Sequence, residues 1–158
     1  MATFLEDITK LPFRDYEPGE VVIHQGMGDG CVYFLSSGSV EVLRDEVQIA
    51  EVSEQGAVFG EMSLLLRQPA TATVRAKEDS EFYVVEKPAE FLKAHPEVAL
   101  YVAELLARRL DSLNRYLVDV KNQFKDYDDH VGMIDDVLNT LMSKHPRRID
   151  RRPAPDYD

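Results

Sequence analysis

Basic residues are scarce in this chain: 18 lysine and arginine side chains stand against 29 aspartate and glutamate side chains in 158 residues. The formal net charge is −11 and the sequence pI is about 4.8. This balance disfavours a protein whose main task is to grip the phosphate backbone of nucleic acid. It leaves room for a small basic patch on an acidic body.

Cysteines and long apolar runs are also lacking. Cys31 is alone, so no disulfide framework exists, and we expect a reducing cytoplasmic location. No apolar run approaches the ~20 residues needed to span a bilayer, and residues 1–7 lack the features of a secretory signal. At 44% hydrophobic residues, the chain is apolar enough to form one core of its own.

The residue patterns of catalytic and metal sites are missing as well. The four histidines are scattered without metal-ligand spacing, and the acidic cluster at 126–129 lacks the glycine and glutamate of a calcium loop. Ser63 has no nearby histidine and no Gly-x-Ser-x-Gly turn. The sequence therefore predicts no metal site, no catalytic residue and no enzyme.

Short apolar runs fill the first two-thirds of the chain after a lead-in over residues 1–17 that we expect to be helical. β-branched and aromatic residues dominate the runs and glycines separate them, which predicts the short strands of a small barrel or sandwich. Residues 61–66 follow Gly60, contain good helix formers and predict a short helix. The predicted strands are residues 21–23, 31–35, 40–43, 47–52, 71–76 and 81–85.

The spacing of apolar residues becomes helical after Pro96. Apolar positions alternate in steps of four and three, as heptad a and d positions do, which predicts a coiled coil. We expect the first turns to pack on the β domain and the turns beyond Leu113 to meet a second copy in a homodimer. These positions are Leu106, Leu110, Leu113, Leu117, Val120, Phe124, Tyr127, Val131, Ile134, Leu138 and Leu141.

Two features of the C-terminal third leave alternatives open. A polar stretch at 125–130 precedes Gly132, which costs about 1 kcal/mol in a helix relative to alanine. The predicted helix over 96–144 therefore either continues or kinks near 126–132, leaving 131–144 as a separate helix. Residues 145–158, basic and then acidic, predict either a disordered tail or a docking peptide for an acidic partner.

The segment 58–74 contains the chemistry that points to a ligand. It is arranged as strand, glycine, short helix, loop and strand, and a helix N-terminus offers unpaired N–H groups to an anion. Gly60 lets a ligand approach the backbone, and Glu61 can accept hydrogen bonds from paired hydroxyls such as those of a ribose. In the alternative interpretation, Glu61 offsets the helix dipole and Thr71 fills a strand position.

This segment resembles the phosphate-binding cassette of the cyclic-nucleotide-binding domain family, and residues 19–26 and 32–42 resemble the same family upstream. The resemblance covers about residues 10–125. It implies a mainly β fold, an antiparallel, jelly-roll-like β-roll over 18–95, followed by the long C-terminal dimerisation helix of catabolite-activator-type regulators. It further implies cyclic AMP or cyclic GMP as ligand, with binding repositioning that helix. The implied contact residues are Gly60, Glu61, Met62, Ser63, Ala70, Thr71 and Thr73.

The sequence departs from the family pattern at the phosphate. The family places an arginine where Ala70 stands, and an arginine–phosphate pair is among the strongest polar contacts. Arg67 and Arg75 are the candidates for a compensating contact. Thr71, just after the missing arginine, implies a preference for cyclic GMP. The glycine loop at 26–30 also departs, because Asp29 and Gly30 stand in swapped order.

These observations predict a non-catalytic cytosolic regulatory protein that is homodimeric and has a weak or non-binding nucleotide pocket. It would act as a protein-interaction adaptor through the C-terminal helix or tail. The alternative is a genuine cyclic AMP or cyclic GMP sensor that signals through the same helix. A transcription factor is disfavoured, because the 28 residues after 130 hold at most one helix and the net charge is −11. We expect neither DNA nor a membrane as partner.

Overall fold

The computed structural model describes residues 2–124 and 128–143. The chain divides after Ala103 into two compact units. No helix within the described ranges is long and apolar enough to cross a membrane. In chain order the elements are α1 (Ala2–Thr9), β1 (Phe13–Tyr16), β2 (Val21–Ile23), β3 (Val32–Ser37), β4 (Val40–Arg44), β5 (Val47–Val52), β6 (Val58–Phe59), α2 (Glu61–Leu66), β7 (Thr73–Ala76), β8 (Ser80–Val85), α3 (Pro88–Ala94), α4 (Pro96–Gln123) and α5 (Asp128–Met142).

The strands form two four-stranded antiparallel sheets. One sheet has the order β1-β8-β3-β6 and the other the order β2-β7-β4-β5. Apart from the β4–β5 pair, neighbours in each sheet are not consecutive along the chain, as when β3 pairs with β8 and β4 with β7. This topology, with the long helix α4 after the last strand, confirms the predicted antiparallel β-roll.

The core of the first unit consists of residues that the two sheets turn toward each other. Buried residues of β3, β6 and β8 meet buried residues of β2, β4 and β7 in one cluster. Phe82 is fully buried and makes edge-to-face contacts with Tyr16, Tyr33 and Phe59, with ring centroids 5.6–6.1 Å apart. Each such aromatic pair contributes about 0.5–1.5 kcal/mol beyond burial. All four rings belong to the β1-β8-β3-β6 sheet, so this cluster stabilises the side of that sheet that contributes to the core.

The N-terminal segment differs from its prediction, because the lead-in over residues 1–17 is helical only in α1. The rest contains β1, which pairs with β8 in the register Phe13↔Tyr83 to Tyr16↔Ser80. The rings of Phe13 and Tyr83 pack edge to face at 5.3 Å. No strand signal is visible in residues 13–16, since two of the four are charged and their partners on β8 lie far along the chain.

The helical region contains two helices. In the second unit, Lys121 Nζ forms an ion pair with Asp135 Oδ1. In one straight helix these residues would lie roughly 21 Å apart along the axis, so the chain folds back between α4 and α5. This arrangement is the interrupted one of the two alternatives left open by the sequence. Tyr127 and the tail at 145–158 lie outside the described residues.

Candidate functional site

The turn from β6 into α2 requires a glycine. Gly60 adopts φ 87° and ψ −2°, the left-handed conformation, immediately before the first residue of α2. A Cβ atom at this position would lie 2.6 Å from the carbonyl oxygen of Cys31, a distance that real Cβ atoms do not reach. Both the dihedral angles and the neighbouring backbone therefore exclude a side chain at Gly60.

We expect Gly60→Ala to destabilise the fold more than a matched glycine substitution. Gly19 has a similar φ of 88° but open space around its missing Cβ, so Gly19→Ala costs only the strain of the left-handed conformation, about 1–2 kcal/mol. Gly60→Ala adds the clash with Cys31, worth a further ~1–3 kcal/mol. Urea unfolding with unchanged m values measures both, and equal losses would contradict the close approach.

The glycine-rich loop between β2 and β3 is hydrogen-bonded to the segment that follows α2. The Gly26 N–H donates to the carbonyl of Ala70 at 2.8 Å, and the Ala70 N–H donates to the carbonyl of Met27 at 2.7 Å. One residue earlier, the Gln25 N–H donates to Thr73 Oγ1 at 3.0 Å. The predicted site residue Thr73 therefore positions the loop, and both backbone groups of Ala70 are occupied.

A cavity of about 110 Å³ lies where the loop, α2 and Ala70 meet. It contains three of the predicted site residues, namely Gly60, Ser63 and Ala70. Most of the other lining residues were not predicted as site residues, although the glycines at 26, 28 and 30 indicate a close approach of the backbone there. The lining residues are Ile23, Gly28, Asp29, Gly30, Cys31, Gly60, Ser63, Leu64 and Ala70.

The charge at this cavity is negative. Among the described residues that line the cavity, Asp29 is the acidic one and none is a lysine or arginine. The Asp29 carboxylate accepts hydrogen bonds from the Tyr33 hydroxyl and, at 3.0 Å, from the Cys31 N–H. Burial raises the pKa of Asp29, but these hydrogen bonds outweigh it and leave the pKa below its ordinary value. Asp29 is therefore ionised at neutral pH.

The neighbours of Asp29 have raised pKa values. Burial, and then the hydrogen bond to Asp29, raise the pKa of the Tyr33 hydroxyl. Burial and the negative charge of Asp29 also raise the pKa of the Cys31 thiol, which lies 3.8 Å from the Asp29 carbonyl oxygen. Arg14, whose side chain is partly exposed, forms an ion pair with the Asp29 carboxylate at 3.8 Å. The cavity thus presents a neutral thiol and a carboxylate.

Neither candidate for a compensating phosphate contact lines the cavity. Arg75 Nε donates to Glu41 Oε1 at 2.6 Å, and Arg75 and Glu41 are directly opposed on β7 and β4. Arg67 is exposed at the C-terminal end of α2 in the left-handed conformation, and its N–H donates to the Ser63 carbonyl. The ion pair with Glu41 holds Arg75 on the sheet, and the turn geometry directs the chain at Arg67 toward solvent.

The other cassette residues occupy different environments. Glu61 is buried at 4% exposure as the first residue of α2, whereas Met62 is 43% exposed. Ser63 Oγ donates to the carbonyl of Gln68 at 2.5 Å, closing the turn after the helix. Thr71 is half-buried and, like Glu61 and Met62, does not line the cavity. The predicted contacts of these residues to a nucleotide stay predictions.

The predicted dimer positions on α4 form a stripe that is only partly covered. Leu106, Leu117 and Val120 are half-buried. The other three described members, Leu110, Leu113 and Phe124, are 39–43% exposed. Asn114 Oδ1, next to Leu113 in sequence, is buried without a hydrogen-bond partner.

The first unit is thus a β-roll that holds a glycine-initiated helix beside a small cavity. Comparisons with known proteins agree. Residues 13–94, just over half of the chain, match the cyclic nucleotide-binding domain family. This chain belongs to that family. No DNA-binding domain is evident in the part of the chain that the structure describes.

The chain is similar to part of an ion channel, to a catabolite activator protein and to a domain of a transcriptional regulator. Potassium/sodium hyperpolarization-activated cyclic nucleotide-gated channel 2 of Mus musculus is 32% identical over 110 residues, which are 68% of this chain and 13% of the channel. The catabolite activator protein of Thermus thermophilus superposes with TM-score 0.64 and 29% identity, over 77% of this chain and 60% of that chain. The N-terminal domain of a Streptomyces coelicolor A3(2) transcriptional regulator gives TM-score 0.53 and 25% identity, over 71% and 82%.

Proposed function

We propose that this protein is a non-catalytic, cytoplasmic regulatory homodimer whose pocket binds cyclic nucleotides weakly or not at all. In this proposal it acts as a protein-interaction adaptor, with the exposed stripe on α4 as its dimer contact. Neither DNA nor a membrane is a partner. Membership in the cyclic nucleotide-binding domain family supports the regulatory role.

One observation carries the proposal: Ala70 lines a cavity whose walls, within residues 2–124 and 128–143, contain a carboxylate and no basic side chain. A cyclic phosphate entering this space would lose hydration without gaining a cation. Leaving a desolvated charge unpaired typically costs about 2–5 kcal/mol. Since Arg75 is held by Glu41, the chain offers no obvious replacement from the following strand.

The alternative is a functional cyclic AMP or cyclic GMP sensor. The glycine-initiated turn at Gly60 favours it, because a turn without a side chain lets a ligand approach the backbone at the start of α2. The channel relative is named for cyclic-nucleotide gating, although the matched stretch is 13% of its length. The sensor would require a cation to reach the phosphate from outside the present cavity lining.

Titration calorimetry with cyclic AMP and cyclic GMP distinguishes the two functions. We expect binding of the purified full chain no tighter than high micromolar for either nucleotide, since the phosphate lacks its cation. A submicromolar constant for either one would overturn the proposal and establish the sensor.

Alkylation of Cys31 gives an independent readout of the same cavity. Cys31 is the single cysteine of the chain and lines the cavity, so its modification is read directly by mass. Iodoacetamide is used near pH 9 because the pKa of this thiol is raised. We expect low-micromolar cyclic nucleotide to leave the rate of alkylation unchanged, and strong protection at these concentrations would contradict the proposal.

A further inference from the structure

Strand β5 presents apolar side chains to solvent at the edge of its sheet. It pairs with β4 and, among the described residues, with no other strand. Val47 and Ile49 are 63% and 58% exposed, and every residue of the strand except Val52 is classed as exposed. Single exposed apolar residues are normal on a protein surface, but two of them on an unpaired edge strand form a site where another chain can associate.

A β-bulge prevents simple strand addition at this edge. Leu43 pairs with Gln48 and Val42 with Ala50, which leaves Ile49 as the extra residue of β5. A bulge interrupts the row of backbone groups that an incoming strand would need. A partner at this surface therefore docks mainly on side chains.

The turn between β4 and β5 is hydrogen-bonded to the side chain of Gln25, the residue just before the glycine loop at 26–30. Asp45 and Glu46 have φ values of 52° and 65°, conformations that non-glycine residues rarely adopt. The Gln25 side-chain amide donates to Asp45 Oδ1 at 2.9 Å and accepts from the Asp45 N–H at 2.8 Å. This pair of hydrogen bonds keeps the turn, and with it the end of β5, in one geometry before any partner arrives.

Charge selects the kind of partner. The segment 44–54 contains one arginine and four carboxylates, a net charge of −3. Glu51 is engaged by Lys77 Nζ at 2.6 Å, whereas Glu46 and Glu54 flank the apolar pair as exposed acids. Two copies of the surface would bring like charges together, and nucleic acid or anionic lipid would be repelled.

We propose that the β4–β5 hairpin, residues 40–52, with Glu54 is a docking surface for a protein segment that carries basic side chains around apolar ones. The apolar pair Val47 and Ile49 supplies the buried centre, and the acids Glu46 and Glu54 select and orient the partner. The surface extends the adaptor role proposed above. It does not depend on whether the cavity binds a nucleotide.

Fluorescence anisotropy with a fluorescein-labelled peptide, Lys-Val-Lys-Ile-Lys-Val, tests the surface on the full chain. We expect saturable binding that weakens with salt, and at least about fivefold weaker binding for Ile49→Ser and for Glu46→Lys/Glu54→Lys. Gln25→Ala is expected to weaken binding less, by loosening the turn. The peptides Glu-Val-Glu-Ile-Glu-Val and Lys-Ser-Lys-Ser-Lys-Ser separate the charge requirement from the apolar one.

Matched controls come from elsewhere on the first unit. Leu100 is 61% exposed on α4, so Leu100→Ser removes a similar apolar side chain, and Glu90→Lys/Glu97→Lys makes the same change of charge. Equal effects of test and control variants, or equal binding of Lys-Ser-Lys-Ser-Lys-Ser, would overturn the proposal. So would dissociation of a dimer by Ile49→Ser in sedimentation, because the occupant would then be a second copy. Calorimetry with nucleotides is unaffected by any of these outcomes.

Discussion

Replacing Ala70 by arginine is expected to tighten cyclic-nucleotide binding by about thirty- to a thousand-fold, the equivalent of ~2–4 kcal/mol. Ala70 is 7% exposed and lines the cavity, and its N–H and carbonyl are both fixed by the glycine loop. The backbone can therefore stay in place while the guanidinium enters the space beside Ser63. A bidentate guanidinium there would supply the cation that the cavity lacks.

Two variants at the same position serve as controls for this gain, with calorimetry as the measurement. Ala70→Gln adds length and hydrogen-bonding capacity without charge, so we expect little change in affinity. Ala70→Lys supplies a point charge without the planar fork of arginine and is expected to give an intermediate gain. A folded Ala70→Arg protein, verified by its thermal melt, that shows no gain would mean that the cavity itself is closed to the nucleotide.

The fold was largely predictable because its signals are local. Alternating or continuous apolar runs between glycines identified six of the strands, and good helix formers after Gly60 identified α2. The strand–glycine–helix pattern of segment 58–74 identified β6. β1 escaped, since a strand of four residues with two charges acquires its structure from its partner. Phe13–Tyr16 is extended because β8 is there to pair with it.

The position of the cassette along the chain was predictable, but most of the residues that line the cavity beside it were not. Gly60 and Ala70 stand in a recognisable order along the chain, and the structure brings both to one cavity. The environment of the Asp29 carboxylate depends on its contacts with Tyr33 and Arg14, which lie on two different strands. The sequence pattern around Asp29 does not encode both contacts. The clamp of Gln25 on Asp45 spans twenty residues and is equally invisible in sequence.

Heptad spacing also fails to predict whether two consecutive helices form one continuous helix. The a and d positions continue without a break from α4 into α5, but the Lys121–Asp135 ion pair requires the chain to fold back. Periodicity reports which face of each helix is apolar and says nothing about whether two consecutive helices share one axis. The polar stretch before Gly132 was the one sequence signal for the interruption.

The native chain is expected to sediment as a dimer, at twice its 18.0 kDa mass. The variant Leu113→Asp/Leu117→Asp, which changes two leucines of the α4 stripe, is expected to sediment at the monomer mass. Leu113 is 43% exposed and Leu117 half-buried in the single chain, so both have surface left to bury. Because each leucine is already partly buried, the dimer can gain at most about half of the ~1.5–3 kcal/mol of a fully buried leucine at each position. Each aspartate adds the larger cost of a desolvated carboxylate. Doubled by symmetry, these losses weaken the dimer by at least about a thousand-fold.

The matched control for this dimer test is Ser112→Asp/Asn122→Asp. Both residues are exposed on α4 at positions outside the stripe. The variant therefore adds the same two negative charges without changing the apolar residues of the stripe. We expect it to remain dimeric in analytical ultracentrifugation, with helix content unchanged by circular dichroism in both variants. A native protein that sediments as a monomer would contradict the dimer outright. Dissociation of both variants would instead assign the effect to charge, because repulsion between two acidic chains acts whether or not the leucines meet.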